Sequence, residues 1–191
     1  MVTPEHVLSF WLDEIGPKDW YNSSPELDRE IASRFEAAWD EIMEGGNGLW
    51  LTYPSGVLAY LLVTDQFSRN MFRDTAKAFA SDHVAHAAAV GAISKDWDLK
   101  ISEPARQFFY LPLEHSENQC DQDRAVRLFA ARMPESGSNL LHAQAHRMII
   151  RKFGRFPFRN TALGRKTTSP EDQFLAAGGY GEIVRNLQAA S

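Results

Sequence analysis

The fold class is decided by the stretch SPELDREIASRFEAAWDEIMEGG, residues 24–46. Its apolar residues recur at spacings of four, four, three and four, which is the period of one buried helical face. These residues are Leu27, Ile31, Phe35, Ala38 and Ile42. Ser24 precedes a proline at the first helical position, and Gly45-Gly46 follows the last apolar residue. The stretch therefore predicts one amphipathic α-helix with a defined start and end.

Start signals of this kind recur along the chain, while the alternating pattern of strands is nearly absent. Capping residues or prolines accompany apolar-periodic segments near residues 3, 54, 81, 102, 121, 140 and 169. The last of these, residues 169–172, fits a capping box ahead of Phe174 and Leu175. Short connections favour antiparallel neighbours. The sequence therefore predicts a single all-α domain over residues 1–191, with about eight helices stacked as antiparallel hairpins.

Composition is typical of a globular protein of the cell interior. Hydrophobic residues make up 44% of the 191 residues and charged residues 24%, which argues against a disordered chain. The longest apolar run, residues 57–63, is far shorter than the roughly 20 residues of a membrane span. The N-terminus lacks the order of a signal peptide, and the single cysteine, Cys120, fits a reducing compartment. We therefore expect a cytoplasmic protein without a membrane partner.

Charge is distributed unevenly along the chain. Residues 136–170 contain no acidic residue but 7 of the 20 basic ones, so the remainder carries 13 basic and 25 acidic residues. This asymmetry indicates either that the basic segment packs beside acidic segments of the same domain or that it binds an anionic ligand.

Asp65 occupies a position where a helix normally buries an apolar residue. Positions 58, 61, 65, 69 and 72 share one helical face, so Asp65 and Arg69 lie among leucine and phenylalanine side chains. A buried carboxylate must be paired, and Arg69 lies one turn away. The pair is either structural or part of a polar pocket. In the second case Asp65 is a candidate base, and Arg69, Asn70 and Arg73 are candidate ligand-binding residues, since two arginines one turn apart can hold an anion.

The sequence Leu-Glu-His-Ser-Glu at residues 113–117 places two carboxylates beside an imidazole. Glu114 and His115 are candidate catalytic residues, because histidine titrates near neutrality and can exchange protons with a carboxylate. The alternative is a turn that caps the next helix, which accounts for Ser116 and Glu117 without chemistry.

His142 and His146 stand four residues apart, a spacing found in helical metal sites. Ala143 stands where the HExxH motif has glutamate, and no further cysteine or histidine with ligand-like spacing follows. His146 shares a face with Ile149 and Ile150, which favours a hydrogen-bonded core histidine and makes it a candidate proton carrier. The sequence predicts no metal site and no other cofactor, since Walker, GxGxxG and GxSxG motifs are also absent.

The segment Gly-Arg-Phe-Pro-Phe-Arg-Asn, residues 154–160, is the most unusual in composition. Gly154 is expected to end a helix, and Phe156 and Phe158 are expected to anchor the loop in the core. Arg155, Arg159 and Asn160 would then be held in fixed positions and are candidate ligand-binding residues; arginines here can equally satisfy carbonyls at a helix end. Nucleic acid is an unlikely partner, because the rest of the chain is acidic and no nucleic-acid-binding motif occurs.

Three segments together resemble a bacterial domain-of-unknown-function family, number 924 in its series. They are residues 65–73, 108–117 and 153–160, the last followed by residues 163–165; Phe10-Trp11 and Phe174-Leu175 fit the same pattern. The resemblance spans nearly the whole chain and implies an all-α fold of the tetratricopeptide-like type, without implying an activity. The chain departs from the family pattern at Ser68, where proline is usual, and at Phe158, where histidine is usual. A catalytic histidine shared by the family in that loop would be missing here.

The leading hypothesis is a binding module with a polar cleft lined by the three segments around Asp65, Glu114 and Arg155. Its partner would be a small anionic molecule or the acidic or C-terminal end of a peptide, the latter by analogy with the fold alone. The alternative is a metal-independent enzyme, a hydrolase or lyase of a small anionic substrate, with Glu114 or Asp65 as base and His115 or His146 as proton carrier. A third possibility is a buried polar network with a purely structural role.

Overall fold

Capping residues and prolines begin the principal helices, as the sequence predicts. The computed structural model describes residues 1–22 and 24–190, and every regular element within them is helical. The all-α prediction is therefore confirmed. The chain divides into two compact units, Met1–Pro112 and Leu113–Ser191. The single-domain and tetratricopeptide-like descriptions stay predictions.

Helix α1 (Pro4–Leu8) opens the first unit and continues into π-helical turns at Ser9–Ile15. Helix α2 is Pro25–Met43, and α3 (Pro54–Leu61) runs through a π-helical stretch, Leu62–Phe67, into α4 (Ser68–Met71). Helix α5 is Asp82–Ile93. Shorter 3-10 turns lie at Gly48–Thr52, Ala76–Phe79, Asp98–Lys100 and Ala105–Phe109.

An aromatic cluster forms the centre of the first unit. Phe35 of α2 lies with its ring centroid 4.9 Å from that of Phe67 and 5.2 Å from that of Phe10, and Trp11 lies 5.2 Å from Phe67. The α2 face predicted from sequence is buried at Ile31, Phe35, Ala38 and Ile42, and half-buried at Leu27. Burial of this face holds α2 against the helix that carries Asp65.

The second unit is built around a helical hairpin. Helix α6 (Leu111–Glu114) leads into it from the first unit, and α7 (Gln119–Arg132) and α8 (Gly137–Phe153) pack along one another. A 3-10 turn at Pro157–Arg159 is followed by α9 (Ser169–Ala176) and α10 (Gly179–Ala189), and α10 packs against α8. The core contains Ile149, Ile150 and Phe156, with Phe153, Phe174, Tyr180 and Ile183 packed against it.

Helix α8 ends and helix α9 begins close to the positions that the sequence predicts. Gly154 ends α8 in the left-handed conformation, with φ of 68°, as expected for a glycine at this position. The capping box of α9 begins at Thr168 rather than Ser169, because Glu171 lies three residues after Thr168 and accepts its backbone N–H at 2.7 Å. Among the residues that the structure describes, no helix combines the length and the apolar character needed to cross a membrane.

Candidate functional site

Asp65 lies in the π-helical stretch of the first unit and is only 2% exposed. Its Oδ1 lies 3.0 Å from Nη1 of Arg69. The same guanidinium also donates to both carboxylate oxygens of Asp82, at 2.9 and 3.1 Å. Arg69 therefore bridges the carboxylates of Asp65 and Asp82. This is the arrangement expected if the Asp65–Arg69 pair is structural.

Side-chain hydroxyls donate to backbone carbonyls of this π-helical stretch. The carbonyl of Thr64 accepts from the hydroxyls of Ser68, at 3.0 Å, and of Ser81. The Ser81 hydroxyl in turn accepts from the indole N–H of Trp39 at 2.9 Å. All four residues are buried, so these bonds fix the helix that carries Asp65.

The remaining candidates of this segment are paired with Asp28 of α2. Arg73 donates to both oxygens of Asp28, at 2.8 and 2.9 Å, and Asn70 donates to Oδ1 at 2.8 Å. Burial alone would raise the pKa of Asp28, but the hydrogen bonds from Arg73 and Asn70 hold it below its ordinary value of 3.8. Arg73 and Asn70 therefore tie α4 to α2 through one carboxylate.

Two carboxylates organise the arginine-rich loop of the second unit. Arg155 donates to both oxygens of Glu171, at 2.6 and 2.8 Å, and the Asn160 amide contacts the same carboxylate at 3.3 Å. Glu117 accepts from Arg165 at 2.6 and 3.0 Å and from the backbone N–H of Phe156 at 2.7 Å. Hydrogen bonds from Arg155 and from the Thr168 backbone hold the pKa of Glu171 well below its ordinary value.

The two phenylalanines of this loop differ in burial, although both were expected to be buried. Phe156 is fully buried, but Phe158 is 45% exposed. The expectation that both anchor the loop is therefore wrong for Phe158, because the 3-10 turn at Pro157–Arg159 directs successive side chains to different sides. Arg159 is buried, with its guanidinium 4.5 Å from the Phe156 ring centroid.

Glu114 and His146 form a carboxylate–imidazole pair in the second unit. Glu114 ends α6 and is 3% exposed, and its Oε1 lies 2.8 Å from Nδ1 of His146 on α8. The same nitrogen lies 2.9 Å from the carbonyl of His142 one turn earlier. The amide of Gln122 donates to the Glu114 carbonyl at 2.6 Å and so fixes the end of α6. Both groups around Nδ1 are acceptors, which assigns the proton of the neutral ring to Nδ1 and leaves Nε2 bare.

His146 also lines an open depression of about 530 Å³. The remaining lining residues are Phe158, Leu175, Gly178, Gly179, Tyr180 and Gly181. The imidazole stands edge-on to Phe156, with ring centroids 5.3 Å apart, and lies 4.9 Å from the Tyr180 ring. These rings hold the imidazole in one orientation at the wall of the depression.

Tyr180 and His142 form a second hydrogen-bonded pair beside the first. The Tyr180 hydroxyl bonds to Nδ1 of His142, and the two rings stack with an angle of 17° between their planes. Burial, helped by the negative charge of Glu114, raises the pKa of Tyr180 above 10.0. Burial lowers the pKa of His142 below 6.5, although Glu114 opposes the shift. At neutral pH, Tyr180 is therefore protonated and His142 is uncharged.

The structure thus brings together only some of the residues that the sequence singles out. Glu114 and His146 are in contact, and His115 lies with its ring centroid 6.4 Å from that of His146. Tyr180 was missed, although the glycine-rich run Gly178-Gly179-Tyr180-Gly181 signals a close backbone approach.

The candidate residues of the first unit are Asp65, Arg69, Asn70 and Arg73, and the cleft shared by all three segments stays a prediction. Within residues 1–22 and 24–190, no three His, Cys, Asp or Glu side chains are arranged to hold one metal ion.

Comparisons with known proteins agree with the family resemblance. The model of a family described as bacterial protein of unknown function, DUF924, matches residues 7–179. A solved protein of unknown function from Agrobacterium tumefaciens is 38% identical, with a TM-score of 0.85 over 90% of this chain and 96% of that one. Comparison with curated proteins gives no match. The family match extends over nearly the whole chain, and this chain therefore belongs to the DUF924 family of bacterial proteins.

Proposed function

We propose that the second unit carries a general acid–base catalytic site, in which His146 is the base and Glu114 is its positioning residue. The observation that carries the proposal is the 2.8 Å contact between Glu114 Oε1 and His146 Nδ1, at the wall of a depression that His146 lines. A buried carboxylate that fixes the tautomer of an imidazole is the arrangement that makes histidine an efficient base. The proposal keeps the reaction class of the enzyme alternative predicted from sequence but changes the roles: the predicted base was Glu114 or Asp65, and here it is His146.

The chemistry follows from the two ring nitrogens. Nε2 of His146 takes a proton from a water molecule or from a substrate carbon, and the positive charge that forms on the ring is stabilised by Glu114. The same proton then passes from Nε2 to the leaving group, which restores the neutral ring. Hydrolysis and elimination both need this sequence of proton transfers, so the proposed class is a hydrolase or a lyase.

Tyr180 supplies a hydrogen-bond donor on the same wall. Its raised pKa keeps the phenol protonated at neutral pH, and His142 Nδ1–H can donate to the phenol oxygen and leave the phenol proton for a substrate. A donor at this place would stabilise negative charge developing on a substrate oxygen while His146 accepts the proton. Tyr180 and His146 would thus act on opposite ends of one reacting group.

The arginine-lined binding module stays a prediction, and the pairings of the arginines weigh against it. Arg69, Arg73 and Arg155 each donate to a carboxylate within 3.1 Å, so an anionic ligand would have to displace that partner. A thermal-shift series with phosphorylated and carboxylated metabolites tests the module directly. A ligand at 100 times its Kd would stabilise the protein by about 2.7 kcal/mol, whereas we expect no increase in Tm.

Release of nitrophenolate from p-nitrophenyl acetate tests the catalytic proposal. We expect turnover by the wild type, a loss of roughly 100-fold or more in His146→Gln, and a smaller loss in Glu114→Gln, which keeps the shape of the side chain. His83→Gln is the matched control, because His83 is an exposed histidine of the first unit. A wild-type rate equal to that of His146→Gln would contradict the proposal.

A further inference from the structure

We infer that the substrate of this site is an uncharged molecule with an aromatic or branched aliphatic group, which binds against Phe158 and Leu175. The inference rests on the proposed function and names the substrate class for the same depression. It departs from the anionic substrate that the basic segment suggests by composition alone.

The side chains that line the depression carry no permanent charge, and two of them are apolar. Apart from three glycines, the depression is lined by His146, Phe158, Leu175 and Tyr180. None of these four side chains is permanently charged. Phe158 and Leu175 are 45% and 37% exposed, which places two large apolar side chains in contact with water at one site. Exposed apolar surface that lines a concavity is characteristic of ligand-binding sites.

The arginines near this wall already have partners. The Arg185 guanidinium, which lies beside Gly178 and Gly181 of the lining, donates to Glu182 at 2.6 Å. The Arg155 guanidinium donates to both oxygens of Glu171, and the Arg159 guanidinium lies over the Phe156 ring. A charged substrate group would therefore give up its hydration without gaining a salt bridge from these arginines. An apolar group loses nothing of this kind on entering the depression and gains contact with the phenylalanine and the leucine.

Phe158 is held in place rather than left loose at the surface. Its ring stacks on Phe156 with centroids 5.2 Å apart and 28° between the planes. Phe156 is fully buried, and Glu117 accepts its backbone N–H at 2.7 Å. A ring fixed in this way forms a binding wall with little conformational entropy left to lose.

Phe158 lies close to the proposed base, His146, because both rings pack against Phe156. Phe156 stacks on Phe158 on one side, and the His146 ring stands 5.3 Å from Phe156. The depression, at about 530 Å³, falls within the roughly 300–1,000 Å³ of sites for small organic ligands. An aromatic group against Phe158 therefore leaves the reacting atoms of a small molecule within reach of His146 and Tyr180.

NMR titration with benzyl alcohol, a neutral aromatic probe, tests the inference. We expect benzyl alcohol to shift the side-chain signals of Tyr180 and His146, and Phe158→Ala and Leu175→Ala each to weaken its binding by roughly tenfold. Leu49→Ala is the matched control, because Leu49 is an exposed leucine of the first unit. Sodium acetate and inorganic phosphate are the charged probes, and neither is expected to shift these signals.

Either of two results would overturn the inference: acetate or phosphate shifting these signals where benzyl alcohol does not, or both alanine variants binding benzyl alcohol as tightly as the wild type. His146→Gln separates this outcome from the proposed function, because its apolar wall is intact. We expect this variant to keep its affinity for benzyl alcohol and to lose ester turnover. Lost turnover therefore tests the base, and lost binding tests the substrate class.

Discussion

The buried carboxylates of Asp65 and Glu114 have different kinds of partner, and the difference separates a structural pair from a candidate catalytic one. Asp65 contacts Arg69, whose guanidinium also contacts Asp82. The partner of the Asp65 carboxylate is therefore a permanent cation. Glu114 instead contacts the imidazole of His146, a ring that in its neutral form has one nitrogen that donates and one that accepts. Arginine keeps its proton in proteins, whereas an imidazole can accept one at its second ring nitrogen, which is why we place the proposed chemistry at Glu114 and His146.

The structural role of the first pair is tested by Arg69→Met. The substitution leaves the Asp65 carboxylate buried without its cation, so we expect the free energy of unfolding to fall by about 3–5 kcal/mol in urea denaturation. Arg29→Met is the control, since the Arg29–Glu26 pair is exposed, and it should leave stability unchanged within error. An Arg69→Met protein as stable as the wild type would show that the ion pair is not structural.

At the scale of single elements, the helix through residues 54–71 depends on side chains to satisfy its irregular middle. The stretch Leu62–Phe67 is π-helical, and the Ser68 and Ser81 hydroxyls bond to the Thr64 carbonyl there. Sequence predicted a helix over this region because its apolar period is clear. It gave no sign of the π-helical turns, and the bond from Ser81 to the Thr64 carbonyl joins residues 17 apart, which no local pattern reports.

Ser81→Ala tests the support of this stretch. Loss of the hydroxyl removes an acceptor from the buried Trp39 indole and a donor from the Thr64 carbonyl, so we expect a destabilisation of about 1–3 kcal/mol. Ser94→Ala removes only an exposed hydrogen bond to the Gly91 carbonyl and serves as the control. Equal unfolding midpoints for the two variants in urea would contradict the assignment.

The end of α8 offers a second test at this scale. Gly154 has φ of 68°, and an added Cβ there would meet nothing within 4 Å, so any cost of Gly154→Ala is conformational. We expect a loss of about 1 kcal/mol in the free energy of unfolding. Gly91 of α5 also has open space around it but lies inside a helix, so Gly91→Ala should stabilise the protein by up to about 1 kcal/mol. Changes of the same sign in both variants would contradict this account.

For the whole molecule, the all-α fold was predictable because caps and apolar periods are local features. For this reason the sequence correctly predicts the buried face of α2 and the C-terminal end of α8. The pairing of Glu114 with His146 was not predictable, because the partners lie 32 residues apart and meet only when α7 and α8 fold into a hairpin. Tyr180 reaches the same place only through the packing of α10 on α8, and no local pattern reports that contact.

Stability should fall with acid in a way that these pairings determine. Glu117 and Glu171 have pKa values lowered below 4.5 in the folded protein, Glu117 despite its burial, because arginine and backbone donors favour their charged forms. The unfolded chain therefore binds more protons than the folded one, so their stabilisation is complete above about pH 4.5 and is lost as pH falls further. The lowered pKa of His142 acts in the same direction from pH 6.5 downward.

Urea unfolding at a series of pH values between 3 and 7 measures this dependence. We expect the free energy of unfolding to fall as pH falls, and to fall less steeply in Glu117→Gln, which cannot take up the proton. Glu44→Gln is the control, since Glu44 is an exposed residue at the end of α2. A wild-type stability that stays constant from pH 7 to pH 3 would contradict the assigned pairings.

The central claim is that Glu114 fixes the tautomer of His146 so that Nε2 is the proton acceptor. Nitrogen-15 NMR of histidine-labelled protein measures this directly, because protonated and bare ring nitrogens have different chemical shifts. For the neutral ring of His146, we predict a protonated Nδ1 and an unprotonated Nε2, with that preference weakened in Glu114→Gln. A neutral His146 with its proton on Nε2, unchanged by Glu114→Gln, would contradict the claim.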